Sequence, residues 1–143
     1  MTEKGAIQAE AMSDLIKHVN LPIGKIYSSP VCRARQTAEI VFGLYDELDP
    51  VLVYSGLNYE TSNDRFSNLK RFFNTVPVSK DKNTVITAHG NVIVEGLFSN
   101  PSASNLKIDE GGIIVLSRRD GEIVIEHSFH IFKSFVRPFF ERK

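Results

Sequence analysis

Two short apolar runs of β character each break directly into a helical pattern, and that arrangement restricts the possible folds more than any other feature. The first run is Lys25-Ile26-Tyr27-Ser28-Ser29, followed by Pro30 and a helical stretch that ends near Gly43. The second is Thr84-Val85-Ile86-Thr87-Ala88, followed by His89-Gly90 and an apolar segment from Asn91 to Ser99. A strand passing straight into a helix, twice, is the repeating unit of an α/β sheet with parallel strands. In such sheets ligands bind beyond the carboxyl ends of the strands. Ser28-Ser29 and His89-Gly90 occupy those ends, so chemistry is expected there.

The remaining segments extend the pattern. Thr2 caps a helix running to His18, with Ile7, Ala11, Leu15, Met12, Ile16 and Val19 as one apolar stripe. Pro22 cannot continue it. Ser29 and Pro30 then suit the cap and first position of the second helix. Residues 50–56, PVLVYSG, read as a strand, and 57–64, LNYETSND, as a polar loop. A helix from Asp64 to Val76 points Phe66, Leu69 and Phe73 inward. The continuous apolar character of Thr84–Ala88 predicts burial on both faces. Residues 111–129 form a β-hairpin about Asp120-Gly121, a strong two-residue turn signal. The phenylalanine-rich tail after it serves as apolar cover. The expected fold is therefore a three-layer α/β sandwich: a mostly parallel central sheet, helices on both faces and a C-terminal hairpin.

Composition removes several function classes. At 143 residues the chain fits one domain. Lys and Arg total 17, as do Asp and Glu, so no global field attracts nucleic acid or an anionic membrane. A single cysteine, Cys32, excludes an internal disulfide and a multi-cysteine zinc site. No apolar run approaches the roughly 20 residues of a membrane span, and nothing resembles a signal peptide. Cytoplasmic location, with no membrane or nucleic-acid partner, is expected. His127 and His130 form a His-x-x-His pair at strand-type spacing without further ligands, so no metal and no cofactor is expected.

Arg33 stands in the first turn of the second helix. A helix N-terminus favours an anion, and an arginine fork matches phosphate oxygens in pairs. The alternative is a surface arginine, solvated or paired with Glu39. At His89 an imidazole can donate to a phosphoryl oxygen or move a proton near neutral pH, while Gly90 permits close backbone approach. The alternative is a core or cap histidine satisfied by a neighbour. Two such positions on one sheet edge converge on one pocket.

Three motifs carry a family resemblance. TEKGAIQAE, residues 2–10, resembles the Thr-x-x-Gly-x-x-Gln-Ala segment of the histidine phosphatase superfamily, the phosphoglycerate mutase-like phosphatases. YSSPVCRARQTAE, residues 27–39, is similar to its Ser-Ser-Pro-x-x-Arg-Ala-x-Gln-Thr-Ala signature. VITAHGNVI, residues 85–93, resembles its second histidine motif. Order and spacing agree along the chain. The resemblance implies metal-independent hydrolysis of a phosphomonoester or phosphoprotein through a phosphohistidine, with Arg33 as second pocket arginine and His89 as second histidine. Arg33, His89 and Gly90 would hold phosphate, and Glu60 would be the candidate general acid, with Asp64 a neighbouring contender. Either loop carboxylate is better read as solvated, and Tyr59 in the same loop is an equally thinly supported candidate for lining a substrate pocket.

The family's nucleophile sits in an Arg-His-Gly or Arg-His-Ala strand upstream of the Thr-x-x-Gly helix, and Met1-Thr2 leaves no room for it. The expectation is one histidine phosphatase-like domain, 1–143, incomplete at its N-terminus, lacking the first strand and inactive as written. The alternative is a non-catalytic phospho-ligand-binding or interaction module. Expected partners are a phosphorylated small molecule or a phosphoprotein. Oligomeric state and substrate are not legible.

Overall fold

The computed structural model describes residues 3–53, 62–98 and 112–129. Helix α1 (Glu3–His18) places Glu3 in its first turn and Lys17 and His18 in its last, the arrangement the helix dipole favours. Ala9, Met12 and Ser13 are its buried positions, and Leu15 and Ile16 pack alongside them. Ile7 and Val19 depart from the expected stripe, at 41% and 58% exposed. Val19 follows the last helical residue, so helical spacing no longer aims it inward. Ile7 lies on the flank of a contact centred on the small side chains of Ala9 and Ser13.

Among the described residues, strand β1 (Ile23–Ser28) is the middle of a parallel three-stranded sheet, flanked by β2 (Glu47–Leu48) and β3 (Asn83–Thr87). Tyr27 pairs with Glu47 on one side and Ile86 on the other; Ser28 pairs with Leu48 and Thr87. Ile26, Tyr27 and Ser28 are buried, as a central parallel strand requires. β3 is only half-buried, not enclosed on both faces as its sequence predicts. Among the described residues it pairs on one side only.

Helix α2 (Cys32–Phe42) follows β1 and ends at Gly43, whose φ of 85° is the left-handed conformation glycine adopts freely. Its N-cap is Val31, without a side-chain bond, so Ser29 is not the cap and Pro30 is not the first helical residue. The strand predicted at 50–56 is also displaced. The strand lies at Glu47–Leu48, and Pro50–Leu52 is a 3₁₀ turn. Asp49 caps that turn by accepting from the Val51 N–H at 3.0 Å, and Pro50 fixes its first φ. The turn drives Leu52 into the core, fully buried.

Helices α3 (Ser62–Thr75) and α4 (Gly90–Leu97) complete that core. Leu52, Leu69, Phe73, Val76 and Val92 surround Tyr27, with Ile86 packed against them. The Phe72 ring stands edge-on to Tyr27 at 5.8 Å. Leu69 and Phe73 face inward as their spacing predicts; the Phe66 side chain lies outside the description. A second cluster joins Ala9 and Met12 of α1 to Val41 of α2. Strand alternation puts Ile26 opposite Tyr27, so helical cover falls on both faces of the sheet.

The hairpin is β4 (Ile113–Arg119) and β5 (Glu122–Phe129), joined by Asp120 and Gly121 at φ of 52° and 79°. Those paired positive values define the turn that Asp-Gly predicts. Leu116 packs on the first core and Ile113 on the second. Arg118 donates from Nη2 to the carbonyls of Phe73 at 2.9 Å and Val76 at 3.0 Å, covering the C-terminal end of α3. The fold is α/β with a mostly parallel central sheet, and four helices and an antiparallel C-terminal hairpin among the described residues.

Candidate functional site

The carboxyl ends of β1 and β3 lie side by side because Ser28 pairs with Thr87. Past that pair the two chains stay joined. The Ser29 N–H donates to the Thr87 carbonyl at 2.9 Å, and Thr87 Oγ1 donates to the Ala34 carbonyl of α2 at 3.2 Å. On the other flank, the Asp49 N–H donates to the Ser28 carbonyl at 3.0 Å. Ser28 and Ser29 sit at this junction with no exposed surface.

His89 is the first residue past Ala88 and the N-cap of α4, with an extended backbone (φ −108°, ψ 146°). Its carbonyl accepts from Ile93 N–H at 3.1 Å, so the backbone opens the helix. The side chain makes no cap bond. Nε2 instead lies 3.2 Å from Ser29 Oγ, which also accepts from the Val31 N–H at 3.3 Å. The sequence separation of this imidazole–hydroxyl contact is 60 residues. It draws two strand ends and two helix starts to one point. Gly90, half-buried, is the first residue of α4.

Arg33 is the second residue of α2 and is exposed. Its carbonyl accepts from Thr37 Oγ1 at 2.8 Å. Its guanidinium forms no salt bridge among the described residues, so pairing with Glu39 is not realised. Cys32 is exposed at the start of the helix. Arg35 donates from Nη2 to Cys32 Sγ at 3.6 Å, while Arg35 Nε and Gln36 Oε1 are buried without hydrogen-bond partners among the described residues. Thr37, beside Gln36, bonds within α2.

Glu60 and Tyr59 lie outside the described residues, as does His130. Asp64 falls within α3, which begins at Ser62, so it is helical and not part of the loop. His127 is in β5, opposite Val115. Among the described residues, no group of three or more His, Cys, Asp or Glu side chains is placed to hold a metal ion, and no helix is long and apolar enough to cross a membrane.

Taken together, the helix start that bears Arg33 and the one opened by His89 both lie beyond a strand-end junction of buried hydroxyls, and the His89 imidazole reaches it. Such an arrangement suits an oxyanion: helix N-termini and arginine attract it, and imidazole can donate to it. Two contributors are missing from the sequence reading. Thr87 ties β3 to β1 and α2, and Asp49 anchors β2 to β1. A threonine at the last strand position before His-Gly is the signal that points to the first. Asp-Pro ahead of an apolar pair marks a turn start and points to the second.

A family model for the histidine phosphatase superfamily (branch 1) matches residues 1–58. A search of curated proteins finds no match. Solved structures share the fold. A phosphoserine phosphatase mutant from Entamoeba histolytica in complex with phosphoserine is 20% identical, with a TM-score of 0.67, covering 90% of this chain and 83% of that one. Phosphoglycerate mutase from Plasmodium falciparum is 24% identical, with a TM-score of 0.63, covering 90% and 84%. The protein histidine phosphatase SixA complexed with tungstate is 18% identical, with a TM-score of 0.65, covering 90% and 82%. The chain thus has the phosphoglycerate mutase-like fold, and its residues 1–58 resemble the histidine phosphatase superfamily (branch 1).

Proposed function

We propose that this chain, working as one domain over residues 1–143, forms the phosphate pocket of a histidine phosphatase acting on phosphomonoesters or phosphoproteins. The observation that carries the reading is the 3.2 Å contact of His89 Nε2 with Ser29 Oγ. It brings the second-histidine motif onto the Ser-Ser-Pro motif that bears Arg33. Arg33 supplies a fixed charge to the phosphoryl group, and His89 and the N-terminus of α4 at Gly90 supply donors. In the transition state, charge on the phosphoryl oxygens rises, and preoriented donors stabilise it. Glu60 is the proposed proton source for the leaving oxygen.

Covalent phosphoryl transfer also needs a nucleophile. The four histidines are His18, His89, His127 and His130, and none stands in an Arg-His-Gly or Arg-His-Ala motif. The 143-residue chain is therefore proposed to bind phosphate without turnover. That same fact favours a second reading, a non-catalytic module that binds a phosphorylated ligand.

Vanadate titration combined with a phosphomonoester hydrolysis assay separates the readings. The chain is expected to bind vanadate, and Arg33→Ala and His89→Ala to lose that binding. A version extended at its N-terminus by an Arg-His-Gly strand is expected to hydrolyse substrate in the presence of a chelator. Binding without turnover in the extended chain supports the module. Activity that requires a divalent cation contradicts the phosphohistidine mechanism.

A further inference from the structure

We infer that Ser29 is the positioning residue for His89, and that its hydroxyl sets which imidazole nitrogen carries the proton. The reasoning counts donors and acceptors. A serine hydroxyl has one hydrogen and two lone pairs. At Ser29 the Val31 N–H occupies one lone pair, at 3.3 Å. Its only other partner among the described residues is His89 Nε2, at 3.2 Å. Ser29 has no exposed surface, so water does not take up the remaining valence. If Nε2 carried the proton and donated, the hydroxyl hydrogen would be left buried with no acceptor, which native structures avoid. The hydroxyl therefore donates to Nε2, and the neutral ring carries its proton on Nδ1.

The Ser29 backbone makes the contact stiff. Its N–H is held by the Thr87 carbonyl at 2.9 Å, and its carbonyl accepts from Ser28 Oγ at 2.9 Å. His89 is thus oriented by a residue whose main chain and side chain are both fixed. For catalysis this inference rests on the reading of His89 as a phosphate-pocket residue, since a positioned donor matters only if an oxyanion comes to it.

The test is imidazole ¹⁵N chemical shifts of the ¹⁵N-labelled chain without phosphate, at a pH where the rings are neutral. His89→Gln identifies the His89 signals. The expected result is a His89 ring mainly in the Nδ1–H form. Ser29→Ala is expected to shift it to mainly Nε2–H, with an otherwise unchanged amide spectrum, and Ser29→Thr to restore it. A mainly Nε2–H ring in the unmutated chain overturns the inference, and that measurement stands even if Ser29→Ala does not fold. An unchanged tautomer in folded Ser29→Ala overturns it as well. The pocket reading fails by a separate observation: vanadate affinity indifferent to Arg33→Ala.

Discussion

Replacing Gly96 with alanine tests whether the seat of α4 on α3 holds His89 in place. Gly96 is buried in the last turn of α4. A Cβ built there overlaps Cε2 and Cδ2 of the Phe73 ring, with Cζ at 3.5 Å. The ring is 3% exposed and stands edge-on to Phe72 at 5.7 Å, so it has little room to swing aside. Alanine gains about 0.8–1 kcal/mol in helix propensity over glycine. Overpacking a tight core costs about 1–3 kcal/mol. Overlap with two carbons of a confined ring belongs toward the upper end, leaving a net loss of roughly 1–2 kcal/mol. For a domain of this size that lowers Tm by roughly 3–8 °C. His89 caps the opposite end of the same short helix, so relief of the clash tilts or lifts α4 and weakens the Ser29 contact. Thermal unfolding followed by circular dichroism and vanadate affinity by calorimetry read the two effects. A variant as stable as the parent, with unchanged affinity, refutes both the tight seat and its link to the site.

Further outcomes concern the hairpin and its anchors. Arg118→Ala removes two charged hydrogen bonds from the C-terminal carbonyls of α3 and is expected to cost roughly 2 kcal/mol in urea unfolding; Arg118→Lys is expected to recover part of it, because both bonds leave one nitrogen and an ammonium also carries several donors on one nitrogen. The Ser117 hydroxyl and then Arg119, at 2.6 Å, hold Glu126 below its ordinary carboxylate range. A depressed folded value means stabilisation that is present above the unfolded pKa and fades as pH falls through the folded one. Ser117→Ala is therefore expected to reduce the fall in Tm on acidification, and an unchanged acid profile would count against that bond.

The parts of the fold legible in the sequence are those where local chemistry and tertiary packing agree. Asp120-Gly121 demands positive φ and receives it; Gly43 ends α2; Leu69 and Phe73 face the core at helical spacing. The misread parts are those where a tertiary contact redirects a local preference. Ser29-Pro30 has the composition of a helix cap, yet the hydroxyl faces His89 across 60 residues, and α2 starts at Cys32. Pro50-Val51-Leu52-Val53 has strand composition, but Asp49 bonds forward and closes a 3₁₀ turn around Leu52. Of the candidate site, only the places of Arg33 and His89 at helix starts beyond the strand ends were legible. Thr87 and Asp49 were not, because their roles depend on strand register, and register is a property of pairing that one strand's sequence does not contain.

The proposed phosphate pocket is tested most directly by titrating inorganic phosphate into the ¹⁵N-labelled chain and mapping amide shifts residue by residue. Saturable shifts centred on Ser29, Cys32–Ala34 and His89–Asn91, abolished in Arg33→Ala, are predicted. Shifts that are absent, or that centre away from the carboxyl ends of β1 and β3, would contradict the account.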